Sequence, residues 1–315
     1  MNKADNPNYT IKIIDGKAQY VRKNQMKAFD WINYTILGLF ALICILPCVY
    51  ELLLSFSSKN DYLNANLFVL PKHFNLENYK VTLYQDKIFQ AFGVSLLVTI
   101  GSVVYSLVLT SLGAYAFTKK DVPGLKIIFF FIICTMFFGG GLVPFYLTVN
   151  NTVGTENLWS LIIPFGINTF NMIVLRNFFN QVPESIIDSC RLDGASEFRI
   201  LFSFVIPLSK AGVATIMMYY LVAKWDDWYW PAIFLQERSD LAPLALKIRQ
   251  GLNNERGEGQ GGGWDPSKVF EQGSNAAMIV IGLIPILVIY PLLQKYFTKG
   301  VTKKRATDPQ KSDQT

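Results

Sequence analysis

Residues 183–207 read PESIIDSCRLDGASEFRILFSFVIP. The stretch lies between two apolar runs, at about 158–179 and 211–235, and is too long for a turn and too amphipathic for a flexible linker. Pro183 suits the opening of a helix, where its missing N–H has no partner to lose, and Gly194 suits the end, because glycine takes φ > 0 without a Cβ clash. A second helix is predicted beyond it, with Phe198, Leu201, Phe202 and Val205 at i, i+3, i+4 and i+7. Two short helices hinged at a glycine make a knob beside a membrane, and a knob implies a socket on another protein.

The surrounding sequence supplies the membrane. Hydrophobic residues make up 51% of the 315, charged residues 17%, and the mean hydropathy is +0.28. Six apolar runs stand at about 31–54, 91–116, 125–147, 158–179, 211–235 and 274–297. Each is long enough to cross ~30 Å of hydrocarbon at ~1.5 Å per residue. Backbone polar groups find no water there, so the runs must be helical. The expected fold is therefore all-α, a polytopic membrane protein with six transmembrane helices and the knob loop on one side.

Lysine and arginine set the orientation, because cytoplasmic segments carry their excess. With the N-terminus inside, the inner segments hold nineteen and the outer segments nine, with Lys224 inside a run. Both termini and the knob loop are thus predicted to be cytoplasmic. The net charge of +6 reads as topology and contact with the lipid bilayer, not as nucleic-acid binding. The polar first thirty residues and a first run too long for a signal h-region predict a retained span, not a cleaved leader. The expected division is a cytoplasmic tail at 1–30, a transmembrane domain at 31–300 and a second cytoplasmic tail at 301–315.

Several function classes drop out. Cys44, Cys48 and Cys134 lie within apolar runs and Cys190 lies on the cytoplasmic side, so no disulfide framework is expected. Cys44 and Cys48, at i and i+4, share a helix face for packing. His73 is the one histidine, and no metal cluster or nucleophile–base pair stands out. Residues 257–262, GEGQGG, match G-x-G-x-x-G formally but lack the strand and helix that would aim such a turn at a pyrophosphate. No P-loop is present, so this chain is not expected to hydrolyse ATP.

The knob resembles the EAA loop of bacterial ABC-importer permeases, whose pattern is roughly E-A-A-x-x-x-G followed by I-x-L-P. Asp188, Ser189 and Cys190 stand at the E-A-A positions, Asp193-Gly194-Ala195 match the D-G-A step, and Phe204, Ile206 and Pro207 fall where I-x-L-P belongs. Further stretches are similar to the maltose-permease-like, oligosaccharide branch: Ser55-Phe56-Ser57, Leu76-Glu77-Asn78-Tyr79, Ala114-Tyr115-Ala116, Phe138 through Pro144, Arg176-Asn177-Phe178-Phe179 and Tyr290 through Phe297. The tail departs from the family by running on through Lys303-Lys304-Arg305.

The resemblance implies a transport subunit, not an enzyme, in a bacterial cytoplasmic membrane. It implies a second permease, two ATPase subunits or domains and an extracytoplasmic solute-binding protein docking on the outer segments at about 55–90 and 236–273. No cofactor is implied in this chain; ATP and Mg are used by the partner ATPase. Asp188, Arg191, Asp193, Gly194, Phe198 and Pro207 become the ATPase-coupling candidates. An amino-acid or peptide ABC importer and an ion-gradient-driven transporter are the alternatives, though the second has no use for an EAA-like loop.

Gly139–Gly141, Pro144 and Pro164 predict interruptions in the third and fourth runs, serving either packing or gating. The fifth run carries the substrate-path candidates: Tyr220, Lys224, Trp225, Asp226, Asp227, Trp228 and Tyr229. A Lys or Asp at a helix centre costs ~2.5–3.5 kcal/mol on insertion, so these groups need partners or water. Lys224 and Asp227, at i and i+3, can pair with each other. The family usually has W-N where Trp225-Asp226 stands. That exchange beside Lys224 raises an acidic oligosaccharide, read by Lys224, as the alternative to a neutral glycan with a structural Lys–Asp pair.

Overall fold

A computed structural model describes residues 9–14, 17–22, 28–65, 71–72, 74–85, 88–119, 121–253 and 270–307, with backbone alone at 9–14, 17–22, 28, 84–85, 252–253, 289–290 and 292–307. His73 and the glycine-rich 257–262 stretch lie outside the described residues, as do the last eight residues of the tail. The chain divides into two compact units, Met1–Leu53 and Leu54–Thr315.

The first unit departs from the all-α expectation. Strands β1 (Tyr9–Ile14) and β2 (Lys17–Arg22) pair antiparallel, with Tyr9 opposite Arg22 and Ile14 opposite Lys17. Polar composition suggested a plain tail, but Tyr9, Thr10, Ile11, Ile13, Tyr20 and Val21 are residue types that favour strands. Helix α1 (Ala28–Ser55) then runs through Pro47 for 28 residues.

In the second unit every regular element among the described residues is a helix. It contains α2 (Lys59–Leu63), α3 (Glu77–Gln85), α4 (Ile88–Ala116), α5 (Leu125–Cys134) and α6 (Leu142–Thr152). Helix α7 (Trp159–Ile162) runs into a 3-10 turn at Ile163–Phe165, and α8 (Thr169–Phe179) follows. The knob comprises α9 (Glu184–Leu192), α10 (Glu197–Ile200), a π-helical turn at Leu201–Val205 and α11 (Ile206–Leu208). Next come α12 (Lys210–Trp225), α13 (Tyr229–Phe234), α14 (Leu244–Asn253) and α15 (Glu271–Thr307). Helix α15 takes in Lys303-Lys304-Arg305, so this part of the expected tail continues the last helix.

Three helical segments are long and apolar enough to cross a membrane: Phe29–Ser55, Ile88–Ala116 and Glu271–Val288. Two bent pairs raise the number to five, Trp159–Phe165 with Thr169–Phe179 at 52° and Glu197–Leu208 with Lys210–Trp225 at 90°. The third run, 125–147, is interrupted between Cys134 and Leu142, around the glycines expected to weaken it. Three consecutive glycines there each disfavour helix by roughly 1 kcal/mol relative to alanine. The fifth run, expected over 211–235, stops at Trp225 and restarts at Tyr229. Asp227 accepts the Trp230 N–H at 3.2 Å, so its carboxylate starts the second helix instead of continuing the first.

Helix α4 is the axis of the unit. Ser95, Thr99, Ser102, Ser106 and Thr110 are buried along it, spaced three or four apart so that they form one seam. Small residues let backbones approach inside a membrane, where lipid is as apolar as leucine and burial alone drives no association. The seam also bonds across: Ser95 Oγ accepts the Leu244 N–H at 2.7 Å, and Ser106 donates to the Phe165 carbonyl at 3.3 Å. Helix α12 packs tightly on α8 at Gly212, where a Cβ would lie 2.3 Å from the Phe178 ring.

Two of the motifs meet outside the second run. Asn78 is buried and donates to the carbonyls of Ser55 and Ser57 at 3.1 and 2.9 Å, while Ser55 and Tyr79 hydroxyls lie 2.8 Å apart. Asn78 thus pins residues 55–57 onto α3 within the second unit.

Candidate functional site

The knob ends its first helix as the sequence predicts. Gly194 has φ +77°, its N–H reaches the Arg191 carbonyl at 2.9 Å, and the Ala195 N–H reaches the Cys190 carbonyl at 3.0 Å. These two bonds are the Schellman pattern, which satisfies carbonyls that a helix end would otherwise strand. Ser196 then caps α10 by accepting the Arg199 N–H at 3.4 Å. Pro207 has no N–H to offer the fourth residue behind it, and the turn just before it widens, with Ile206 donating to Leu201 five residues back.

That π turn redistributes the apolar face. Leu201 and Val205 are buried as predicted, with Ile200 beside them, but Phe198 and Phe202 point outward. The uniform 3.6 period assumed a continuous α-helix through a segment that is not one. The buried set joins Ala114 and Tyr115 of α4, Met172 and Leu175 of α8, and Ile216 and Tyr220 of α12 in one core. The inner face of the knob is therefore part of the same packing as three membrane-directed helices. Its outer face shows Leu192, 89% exposed, and Phe198, 68% exposed, beside the exposed Asp193 and Gly194.

A charged network ties the two knob helices to the end of α4. Arg191 bonds Asp188 at 3.1 Å and Glu197 at 3.0 Å, and Lys119 meets the other Glu197 oxygen at 2.7 Å. Tyr115 donates to that same oxygen. Partial desolvation pushes the Glu197 carboxyl up, but the bonds from Lys119, Tyr115 and Arg191 outweigh it and hold the group down at about 2. Asp188 and Arg191 were candidates from sequence; Glu197, Tyr115 and Lys119 were not. The missing signal is tertiary, since Lys119 and Glu197 are 78 residues apart.

The fifth run divides into an inner and an outer set. Tyr220 and Trp225 are buried. Tyr220 shares a 2.7 Å hydrogen bond with Thr110 and accepts the Asn168 N–H at 3.0 Å, while Trp225 donates to the Gly282 carbonyl at 3.2 Å. Lys224 lies 3.3 Å from Asp227, with side chains only 9% and 14% exposed. It also donates to the Leu161 carbonyl at 3.1 Å and sits 3.7 Å from the Phe165 ring centre. Of the two readings of Lys224, this geometry is that of the pair within the chain. Asp226 is exposed, as are Trp228 at 40% and Tyr229 at 44%.

The rim beyond is clamped by Glu156. Its carboxylate accepts the backbone N–H groups of Gln236, Glu237 and Arg238 at 2.9–3.3 Å, and its own N–H meets the Phe234 carbonyl at 2.8 Å. Among the described residues, no group of three or more His, Cys, Asp or Glu could hold a metal ion.

With this geometry in view, the similarity to known proteins is extensive. The family model for the binding-protein-dependent transport system inner membrane component matches residues 26–303. The polygalacturonan/rhamnogalacturonan transport system permease protein YtcP of Bacillus subtilis (strain 168) is 35% identical over 284 residues, 88% of this chain and 97% of its own. The trehalose/maltose transport system permease protein MalG of Thermococcus litoralis is 25% identical over 271 residues, 84% of this chain and 92% of its own. Among solved structures, a chain of a bacterial ABC transporter involved in the import of the acidic polysaccharide alginate superposes with a TM-score of 0.79 and 30% identity, covering 85% of this chain and 96% of that one.

Proposed function

The chain belongs to the family of binding-protein-dependent transport system inner membrane components and is a permease subunit of a carbohydrate ABC importer; we propose that its cargo is an acidic oligosaccharide. One observation carries the reading. Two proteins at 30% identity or more over nearly the whole chain are named for acidic polysaccharides, polygalacturonan and alginate.

In this reading the chain crosses the cytoplasmic membrane six times, with the interrupted α5–α6 and α12–α13 segments each counted as one passage and both termini in the cytoplasm. It pairs with a second permease to form the path. Two ATPase subunits or domains, which hold ATP and Mg, receive the knob, and an extracytoplasmic binding protein delivers the sugar to the outer segments. ATP binding draws the ATPases together around the knob and opens the helices outward; hydrolysis resets them.

The knob is suited to this work because its outer face is exposed and its inner face is packed. Leu192 and Phe198 offer apolar contacts to a groove, with Asp193 and Gly194 at the apex. Asp188 and Arg191 stiffen the first helix, and Pro207 marks where the second leaves the regular α-ladder. Motion imposed on Phe198 passes through Ile200, Leu201 and Val205 into α4, α8 and α12. Along the path, Asp226, Trp228 and Tyr229 are the exposed candidates. Lys224, Tyr220, Trp225 and Asp227 shape the wall behind them.

Purified permease–ATPase complex with its binding protein tests the reading directly. Trigalacturonate should stimulate ATP hydrolysis and enter proteoliposomes, whereas maltotriose should do neither. Response to maltotriose alone would overturn the acidic cargo, and permease that retains no ATPase would overturn the role of the knob.

A further inference from the structure

Lys224 has little left to offer a substrate, since its ammonium group is held by Asp227, the Leu161 carbonyl and the Phe165 ring. An aromatic chain leads outward from it. Phe165 lies 5.3 Å from Trp230, Trp230 lies 5.4 Å from Tyr229, and Tyr229 lies 5.9 Å from Trp228, the last two pairs edge to face. At the outer end stands a second cation, the Arg249 guanidinium, 4.8 Å from the Trp228 ring centre.

The two cations differ in what they face. Arg249 is exposed and, among the described residues, makes no ion pair. Arg238, the other described arginine on this side, is bound by Asp240 at 2.8 Å. Helix α14 fixes the position of Arg249, because Leu244 is buried and Ile248 packs against the core around Trp225 and Met278. A guanidinium stacked over an indole keeps its N–H edges free while losing little rotamer freedom on binding. Those edges match a carboxylate in bidentate fashion, and a half-exposed aromatic face beside them accepts the apolar face of a sugar ring.

We propose that Arg249, poised on Trp228, is the residue of this subunit that reads the carboxylate of the incoming glycan, while Lys224 at the inner end of the aromatic chain holds the wall. The inference rests on the acidic-oligosaccharide reading and adds a specificity-determining contact to it. The charge that discriminates a uronic acid from a neutral sugar is thereby placed at the outer rim, on the exposed side of α14.

The test is direct binding of trigalacturonate to the whole permease–ATPase complex, held with ATP and vanadate and free of binding protein. The wild type should bind the free acid more tightly than its trimethyl ester, and added salt should narrow the difference. Arg249→Gln should weaken binding of the acid about tenfold or more and leave the ester unchanged. Arg249→Lys should recover part of the loss, and Trp228→Ala should weaken both ligands. Co-purified ATPase reports that each variant assembles. Equal affinity of wild type and Arg249→Gln for the acid would overturn the contact. So would a wild-type complex that imports trigalacturonate yet binds none of it without the binding protein. A wild-type complex that does not import trigalacturonate would instead overturn the cargo reading beneath it.

Discussion

The knob at 183–207 and the charged aromatic stretch at 219–230 both mix apolar and ionic residues, yet they deploy them in opposite directions. The knob buries Ile200, Leu201 and Val205 and leaves Leu192 and Phe198 outside. The aromatic stretch turns Lys224 and Asp227 inward onto each other and leaves Trp228 and Tyr229 outside. In water, an exposed apolar side chain at the knob has a cost that a docking partner can relieve. At membrane depth, an unpaired charge has a larger cost that only a partner in the same chain can relieve at all times. Exposed leucine and phenylalanine therefore point to another protein, whereas the buried Lys–Asp pair points to the fold itself.

The largest effect should come from breaking the inner pair. Lys224→Met leaves the Asp227 carboxylate nearly buried without its counter-charge, a loss of about 3–5 kcal/mol for a buried pair. Thermal unfolding of the detergent-purified complex should shift down sharply, and Lys224→Met combined with Asp227→Asn should recover much of the shift. If Lys224 were instead a substrate contact alone, the single variant would unfold normally and lose only uptake.

A smaller effect is expected at the knob hinge. A Cβ at Gly194 meets nothing within 4 Å, but φ is +77°. Gly194→Val is thus strained by about 1–2 kcal/mol without any clash. The variant should assemble and hydrolyse more ATP per sugar imported. An unchanged coupling ratio would count against the hinge.

Glu197 gives the comparison a pH axis. Its folded carboxyl lies below the ordinary value of about 4.3, so its stabilisation is complete above that value and is lost as pH falls toward about 2. Both Glu197 and Arg191 are substantially exposed, which keeps the effect small. Hydrogen exchange of residues 185–200, corrected for intrinsic rates, should show protection falling between pH 5 and pH 3. Glu197→Gln should lower protection at pH 5 and flatten the pH dependence.

Much of this was readable in the sequence wherever local chemistry decides. Pro183 and Gly194 bound the first knob helix by their own backbone preferences, and Gly139–Gly141 mark the interruption of the third run. Composition and run length announce the membrane. What the sequence hid is set by distant partners or by broken periodicity. The outward turn of Phe198 and Phe202 depends on the π turn before Pro207. The Lys119–Glu197 tie and the Glu156 clamp join residues about 80 apart. Arg249 looked like one more outer-loop charge until α14 and α13 brought it over Trp228.

The outward face of the knob is the central claim, and labelling tests it most directly. With the native cysteines replaced, Phe198→Cys should react rapidly with a maleimide in membranes holding the permeases alone. It should be protected when the ATPase is present. Protection that depends on the ATPase is the predicted result; equal labelling with and without it would contradict the account.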